Sequence, residues 1–277
     1  MTEISSAVDF YARHPISAEI ILAKLNDARG NLDNVTPDEL FAHDQDHYGG
    51  LTVNDVLAER AQIKAGSRVA DFCAGLGGPA RYLAHRYGAD VTGIELTPAR
   101  VAGAERLTHL VGLQDRVRVL QGDVMQVPLP DASMDAVISQ EAFLHVPELP
   151  RAFAEARRIL RPGGRFAFTN WVAEQPLTQA DRQLMWDGMA VQRLYSFEEH
   201  RKLLEDAGFS VVSAEDLTAG WATILELRFA MYRKLRGEAE RAGTPAGHDA
   251  FYRSYALLVE LVQSVRLGGG RFAAVAR

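Results

Sequence analysis

Two periodicities alternate along the chain. Between residues 68 and 171, short apolar runs are separated by stretches whose apolar residues recur at helical spacing, the pattern of a parallel sheet covered by helices on both faces. Runs at 68–72 (RVADF), 90–95, 117–121, 135–139 and 165–171 predict strands. Segments at 77–87, 98–111 and 147–161 predict the helices between them, the last stopped by Arg161-Pro162-Gly163-Gly164. Upstream, residues 1–65 read as helical: 17–28 has helical spacing, Thr36-Pro37 opens a short helix with a side-chain cap and proline in its first turn, and a third helix lies near 52–62. Downstream come a helix at 197–207, a strand at 209–217 and a final strand at 270–277. The insertion between those strands, 218–270, reads as two helices near 221–236 and 248–266, a segment able to cover the mouth of a sheet. The expected organisation is a helical segment at 1–65 that forms part of a lid, and one domain at 66–277 with 218–270 as its cap.

Composition narrows the functions open to such a fold. The 277 residues are 47% hydrophobic and 24% charged, which suits a globular chain with a large core. No apolar run reaches the roughly 18–20 residues of a membrane span, and residues 1–15 lack a secretion signal, so a cytoplasmic protein without a membrane partner is expected. A single cysteine, Cys73, excludes an internal disulfide and fits a reducing compartment. With 30 Lys and Arg against 36 Asp and Glu and no basic block, nucleic acid is not the expected partner. Small molecules are.

The chemistry concentrates at the carboxyl ends of the first three predicted strands. In VADFCAGLGGPARYLA (69–84), an acidic strand end leads into a turn with glycines at 75, 77 and 78, where backbone can approach a ligand unshielded by side chains. Glu95 ends the next strand, 18 residues after Gly77, placed to accept from both hydroxyls of a ribose. A dinucleotide site would share both features. Asp123 follows the third strand in Gln121-Gly122-Asp123-Val124, where a carboxylate can accept from an adenine amine. The acids at 71, 95 and 123 together suit a cationic ligand, a sulfonium, better than a pyrophosphate.

These motifs resemble, in order, those of the class I S-adenosylmethionine-dependent methyltransferases: VADFCAGLGG, VTGIEL (91–96), QGDVMQVPLPDASMDAVIS (121–139) and RILRPGGRF (158–166). DQDHYGG (44–50) and SQEAFLHVPE (139–148) are similar to segments of sarcosine and dimethylglycine N-methyltransferases and of natural-product sugar O-methyltransferases. The resemblance implies a Rossmann-like α/β fold with a seven-stranded, mostly parallel sheet and an antiparallel last strand. It implies S-adenosylmethionine as cofactor, its methionine part held by Asp71 and the backbone of Ala74, Gly75 and Gly77, its ribose by Glu95, its adenine by Leu96, Asp123 and Val124. Gln140 would lie near the sulfonium and Tyr48 would close over the cofactor. One position departs from the family: Cys73 stands where a glycine is usual.

The expected reaction is methyl transfer to N or O of a small metabolite, with C-methylation as the alternative. His145, after the fourth strand, is a candidate base for an acceptor hydroxyl or amine, and His47 a weaker one. Tyr11, His14, Trp171 and Trp221 are candidate acceptor contacts. His43, Asp44, Asp46 and His47 have metal-binding types but crowd one short stretch, so no metal is expected. Two other classes stay open: a nicotinamide-dependent oxidoreductase and a non-catalytic adenosyl-binding protein. A homodimer is left open by the apolar residues on the outer helices.

Overall fold

The computed structural model describes residues 3–12, 14, 16–241 and 249–277. Seven strands make one sheet: β1 (Arg68–Phe72), β2 (Asp90–Glu95), β3 (Val117–Gln121), β4 (Met134–Gln140), β5 (Leu160–Ala173), β6 (Phe209–Asp216) and β7 (Leu267–Ala276), in the order β3-β2-β1-β4-β5-β7-β6. Pairings among β1 to β5 are parallel, and β7 is antiparallel to both β5 and β6. The strand order reverses between β1 and β4, so the crevice at their carboxyl ends is where an open α/β sheet accepts ligands.

Eleven helices among the described residues surround this sheet: α1 (Glu3–Ala12), α2 (Ala18–Arg29), α3 (Pro37–Phe41), α4 (Leu51–Arg60), α5 (Gly78–Tyr87), α6 (Pro98–Leu110), α7 (Leu149–Ile159), α8 (Gln179–Met189), α9 (Phe197–Asp206), α10 (Thr218–Arg241) and α11 (Asp249–Gln263). Strand alternation sends Val69, Val91, Val117 and Ala136 to one face, against Leu57 and Ala58 of α4 and Leu83 of α5. Ala70, Phe72, Val137, Phe166 and Phe168 go to the other, against Phe153 and Ala156 of α7 and Leu204 of α9. The Thr36-Pro37 signal is realised as a full capping box: Thr36 Oγ1 accepts from Glu39 N–H, and Glu39 Oε2 accepts from Thr36 N–H.

Two boundaries and one helix differ most from expectation. The 161–164 stop does end α7, but β5 already starts at Leu160 opposite Met134 and bulges before Arg165 meets Ala136. The last strand starts at Leu267, not 270, because its glycines are strand residues: a Cβ on Gly269 would meet the Trp221 ring at 2.4 Å and one on Gly268 the Thr218 hydroxyl at 2.0 Å. Helix α8 has a sequence too polar to announce itself, and it is held by Met185 in a shared core with Trp221, Leu258 and Leu261. The expected insertion is helical on either side of 242–248, which lie outside the described residues.

Helices α2 and α3 buttress α6 through Ile21, Leu25, Leu40 and Leu107. The chain then crosses the carboxyl edge of the sheet at 42–50, tied down by an ion pair that water does not reach. Arg81 of α5 donates to Asp44 Oδ2 from Nη2 (2.8 Å) and Nε (3.1 Å), both side chains being 0% exposed. The remaining Arg81 donor reaches the Ala104 carbonyl and Thr108 Oγ1.

Candidate active site at the carboxyl edge of the sheet

Strands β1 and β4 are each followed directly by a non-glycine residue in the left-handed region: Cys73 at φ 59° and Glu141 at φ 56°. Such conformations cost roughly 1–2 kcal/mol per residue and concentrate at functional sites. Here they swing the chain out on both sides of the crevice. A glycine at the Cys73 position would carry this φ without strain.

Between these turns lies a cavity of about 1560 Å³, mouth included. Asp71, Ala74, Gly75, Glu95, Leu96, Asp123, Val124 and Gln140 line one part of it. Tyr11, His14, His47, Tyr48, His145 and Trp171 also reach the wall. Two expected residues do not. Gly77 serves the turn itself, at φ 75° ahead of α5 with its N–H on the Ala74 carbonyl (2.8 Å). Trp221 stands one layer back, edge-on to Trp171 (4.9 Å) and Tyr48 (5.1 Å).

At the glycine-rich end the polar groups are oriented but not used up. Glu95 is fixed from two sides, accepting from Gly75 N–H (2.9 Å) and Thr97 N–H (2.8 Å), which leaves one lone pair on each oxygen free. Asp123 Oδ1 accepts from Met125 N–H (2.8 Å), and Oδ2 has no such tie. Asp71 is 3% exposed and its Oδ2 has no partner; burial, then the Glu95 charge, pushes its carboxyl up to about 8. Neither the Gln140 amide nitrogen nor its oxygen has a partner. These open donors and acceptors fit S-adenosylmethionine: a buried acid for an ammonium, a fixed carboxylate for two hydroxyls, a second for an adenine amine, and a cradle of glycine backbone.

The other end is aromatic. Tyr48, Trp171, Tyr232, Phe251 and Tyr255 line the cavity together with Glu141, whose carboxylate accepts Tyr48 N–H on both oxygens (2.9 and 3.1 Å). Burial drives the Glu141 carboxyl up to about 8. Arg228 of α10 lies over the Tyr48 ring at 4.6 Å and donates to the His47 carbonyl (2.8 Å).

The three histidines that line the cavity are held by the protein. Burial pushes His145 down to about 4, so the ring is neutral. Its Nδ1 faces the Ala190 carbonyl (3.3 Å), which can only accept; Nδ1 therefore carries the proton, and Nε2 accepts from the Tyr11 hydroxyl (3.0 Å). His47 is likewise lowered to about 4 by burial, and its Nε2 lies 3.0 Å from Gln45 Oε1, which also accepts from Asn54 Nδ2. His14 Nδ1 accepts from Ile16 N–H (3.3 Å). Asp44 is spent on Arg81, and among the described residues no group of three or more His, Cys, Asp or Glu is arranged to hold a metal ion. Sequence reasoning missed Arg100, Glu141, Arg228 and Tyr255 of α11, and read Tyr232 of α10 mainly as a packing residue. Glu141 alone had a signal, its place directly after Gln140 at a strand end.

Residues 70–168 match the family described as a methyltransferase domain. Over 224 residues, 76% of its length, the chain is 31% identical to the sterol 24-C-methyltransferase of Eremothecium gossypii, of which it spans 59%. Over 167 residues, 60% of its length, it is 32% identical to the sarcosine/dimethylglycine N-methyltransferase of Halorhodospira halochloris, spanning 60% of that protein. The chain thus covers less than two thirds of these curated relatives. Its fold is that of the geranyl diphosphate C-methyltransferase of Streptomyces coelicolor A3(2), with TM-score 0.72, 17% identity, and 100% and 99% of the two chains covered.

Proposed function

With residues 70–168 forming a methyltransferase domain in the sheet of the class I S-adenosylmethionine-dependent fold, we propose that the chain binds S-adenosylmethionine and methylates the nitrogen of a small amine. The observation that carries this reading is the pairing of Glu141 with an aromatic wall at the far end of the cavity. N-methylation leaves positive charge on the acceptor nitrogen, and a carboxylate together with aromatic faces stabilises that charge as it develops. The acidic balance of the chain, without a basic block, supports an acceptor other than nucleic acid.

The cofactor, when bound, supplies an electrophilic methyl group on a sulfonium. Asp71 and the backbone of Ala74 and Gly75 hold its methionine part, Glu95 its ribose, and Leu96, Asp123 and Val124 its adenine. Gln140 orients the sulfonium end. The amine enters neutral, its proton left to solvent, and Glu141, beside it and ionised as pH rises through about 8, faces the nitrogen as it gains charge. Trp171 and Tyr48 set the acceptor's approach, and α1 with the α10–α11 pair excludes water. Holding two reactants in attack geometry is worth on the order of 7–11 kcal/mol. His145 and His47, neutral and engaged by the protein, keep Tyr11 and the 42–50 crossing in place.

C-methylation is the second reading, since the same carboxylate and rings would stabilise a carbocation and the sterol relative spans 76% of the chain. The test is to supply methyl-labelled S-adenosylmethionine with panels of amines, phenols and isoprenoid alkenes and to locate the label by NMR. Label on nitrogen is expected, with Glu141→Gln lowering kcat by about 10²-fold or more and leaving S-adenosylhomocysteine affinity unchanged. Label on carbon or oxygen, or full activity in Glu141→Gln, overturns the amine reading.

A further inference from the structure

We propose that Arg100 binds the carboxylate of the cofactor's methionine part. The proposal rests on the S-adenosyl reading of the cavity and is independent of the acceptor. Arg100 opens α6, five residues after Glu95, and its side chain is 8% exposed on the cavity wall. It lies against the glycine-rich turn: a Cβ added to Gly75 would sit 3.0 Å from Arg100 Nη1.

The hydrogen bonds of this guanidinium are largely unmade. Nη2 donates to His14 Nδ1 (3.3 Å) and, at the limit of reach, to the Ile16 carbonyl (3.5 Å). The nearest carboxylate oxygen, Asp46 Oδ2, is 3.6 Å away, beyond hydrogen-bond distance. Nε is buried with no partner at all. A guanidinium carries five N–H donors in a planar fork, and leaving them unfilled in a buried site is costly. A carboxylate fills two at once.

The charges of the cavity say which carboxylate. Asp71, Glu95 and Asp123 are matched to the ammonium, hydroxyls and adenine amine of the ligand, and none of them suits its one anionic group. Among the described residues, two fixed cations line the wall, Arg100 and Arg228. Arg228 sits over Tyr48 at the aromatic end. The ammonium and carboxylate of a methionine tail share one carbon, so a tail whose ammonium meets Asp71 must place its carboxylate nearby. Arg100, against Gly75, is the cation at that end. It is braced for the task from behind, its Cζ 4.2 Å above the Tyr11 ring.

The test compares S-adenosylhomocysteine with 5′-methylthioadenosine, which keeps the adenosine and sulfur but lacks the amino-acid tail. Both are titrated calorimetrically into wild type, Arg100→Gln, Arg100→Lys and Arg228→Gln. Arg100→Gln is expected to weaken S-adenosylhomocysteine by about thirtyfold or more and 5′-methylthioadenosine by less than about threefold. Arg100→Lys, which keeps the charge and loses the fork, should fall between, with its loss again confined to the ligand with the tail. Arg228→Gln should show no loss confined to the ligand with the tail. Equal weakening of both ligands by the Arg100 variants, wild-type affinity in them, or the selective loss appearing in Arg228→Gln would each overturn the assignment. Should the wild type bind neither ligand, the cofactor reading itself falls.

Discussion

Cofactor binding should release a proton, and Asp71 should be its source. Its carboxyl, buried at the end of β1 with one oxygen unpartnered, is pushed up to about 8 by burial and by Glu95. At pH 7 it is therefore protonated in about ten of every eleven ligand-free molecules. An incoming ammonium needs the carboxylate, so binding between pH 6 and 7 releases close to one proton. Affinity should then rise about tenfold, or about 1.4 kcal/mol, for each pH unit up to about 8 and level off above it. The same shift acts on stability with a defined sign. A carboxyl raised in the folded state contributes stability that is fully present below its unfolded value and is lost as pH rises through about 8. Ligand-free Asp71→Asn should lack that component of the pH dependence. The assay is calorimetric titration of S-adenosylhomocysteine at pH 6.5 in buffers of different ionisation enthalpy, where the slope of heat against buffer enthalpy counts protons. The slope should vanish in Asp71→Asn and with 5′-methylthioadenosine, which brings no ammonium. Tight, pH-independent binding by the wild type from pH 6 to 8, with no proton released, would refute the reasoning.

Four further outcomes follow from packing. Asp44→Asn strands the Arg81 charge in a site with no water access and should cost about 3–5 kcal/mol in urea unfolding, more than half of it recovered by pairing Asp44→Leu with Arg81→Met. Cys73→Val forces a β-branched residue to φ 59° and should lower stability by about 2 kcal/mol, whereas Cys73→Gly, relieved of that strain, should cost less than about 1 kcal/mol despite the lost thiol packing. Gly269→Ala drives a methyl into the Trp221 ring, with an expected loss of about 1–3 kcal/mol and altered tryptophan emission. Gly220→Ala, facing open space in α10, should be neutral or stabilising by up to about 1 kcal/mol in the same urea unfolding.

The central sheet was legible because its strands are buried on both faces: β1, β2 and β3 begin and end at the residues that their apolar runs predict. The glycines at 268–270 misled because a glycine chosen to make room for Trp221 and Thr218 looks, in sequence, like one chosen for a turn. The cofactor end of the cavity was legible too, since Asp71, Glu95 and Asp123 each terminate a strand and share an edge by topology alone. Its aromatic end was not. Arg228, Tyr232 and Tyr255 reach it from helices whose docking depends on tertiary contacts with Trp221 and Leu258, and no local pattern encodes that. The ion pair of Asp44 and Arg81 joins residues 37 apart, and neither half differs in sequence from a surface charge.

The pairing of the last two strands bears on how acceptor choice can change. Asp216, where β6 ends, is the register partner of Gly270, and Leu217 N–H meets the Gly269 carbonyl (2.7 Å), so α10 and α11 leave and re-enter the sheet at one place. Their ends stay closed by the β6–β7 ladder whatever lies between, and lengthening a closed loop costs only about 0.6 kcal/mol per doubling. The helical pair is thus an exchangeable cassette. Grafting or randomising it would rewrite the aromatic end of the cavity while Asp71, Glu95 and Asp123, anchored on other strands, go on serving the same methyl donor.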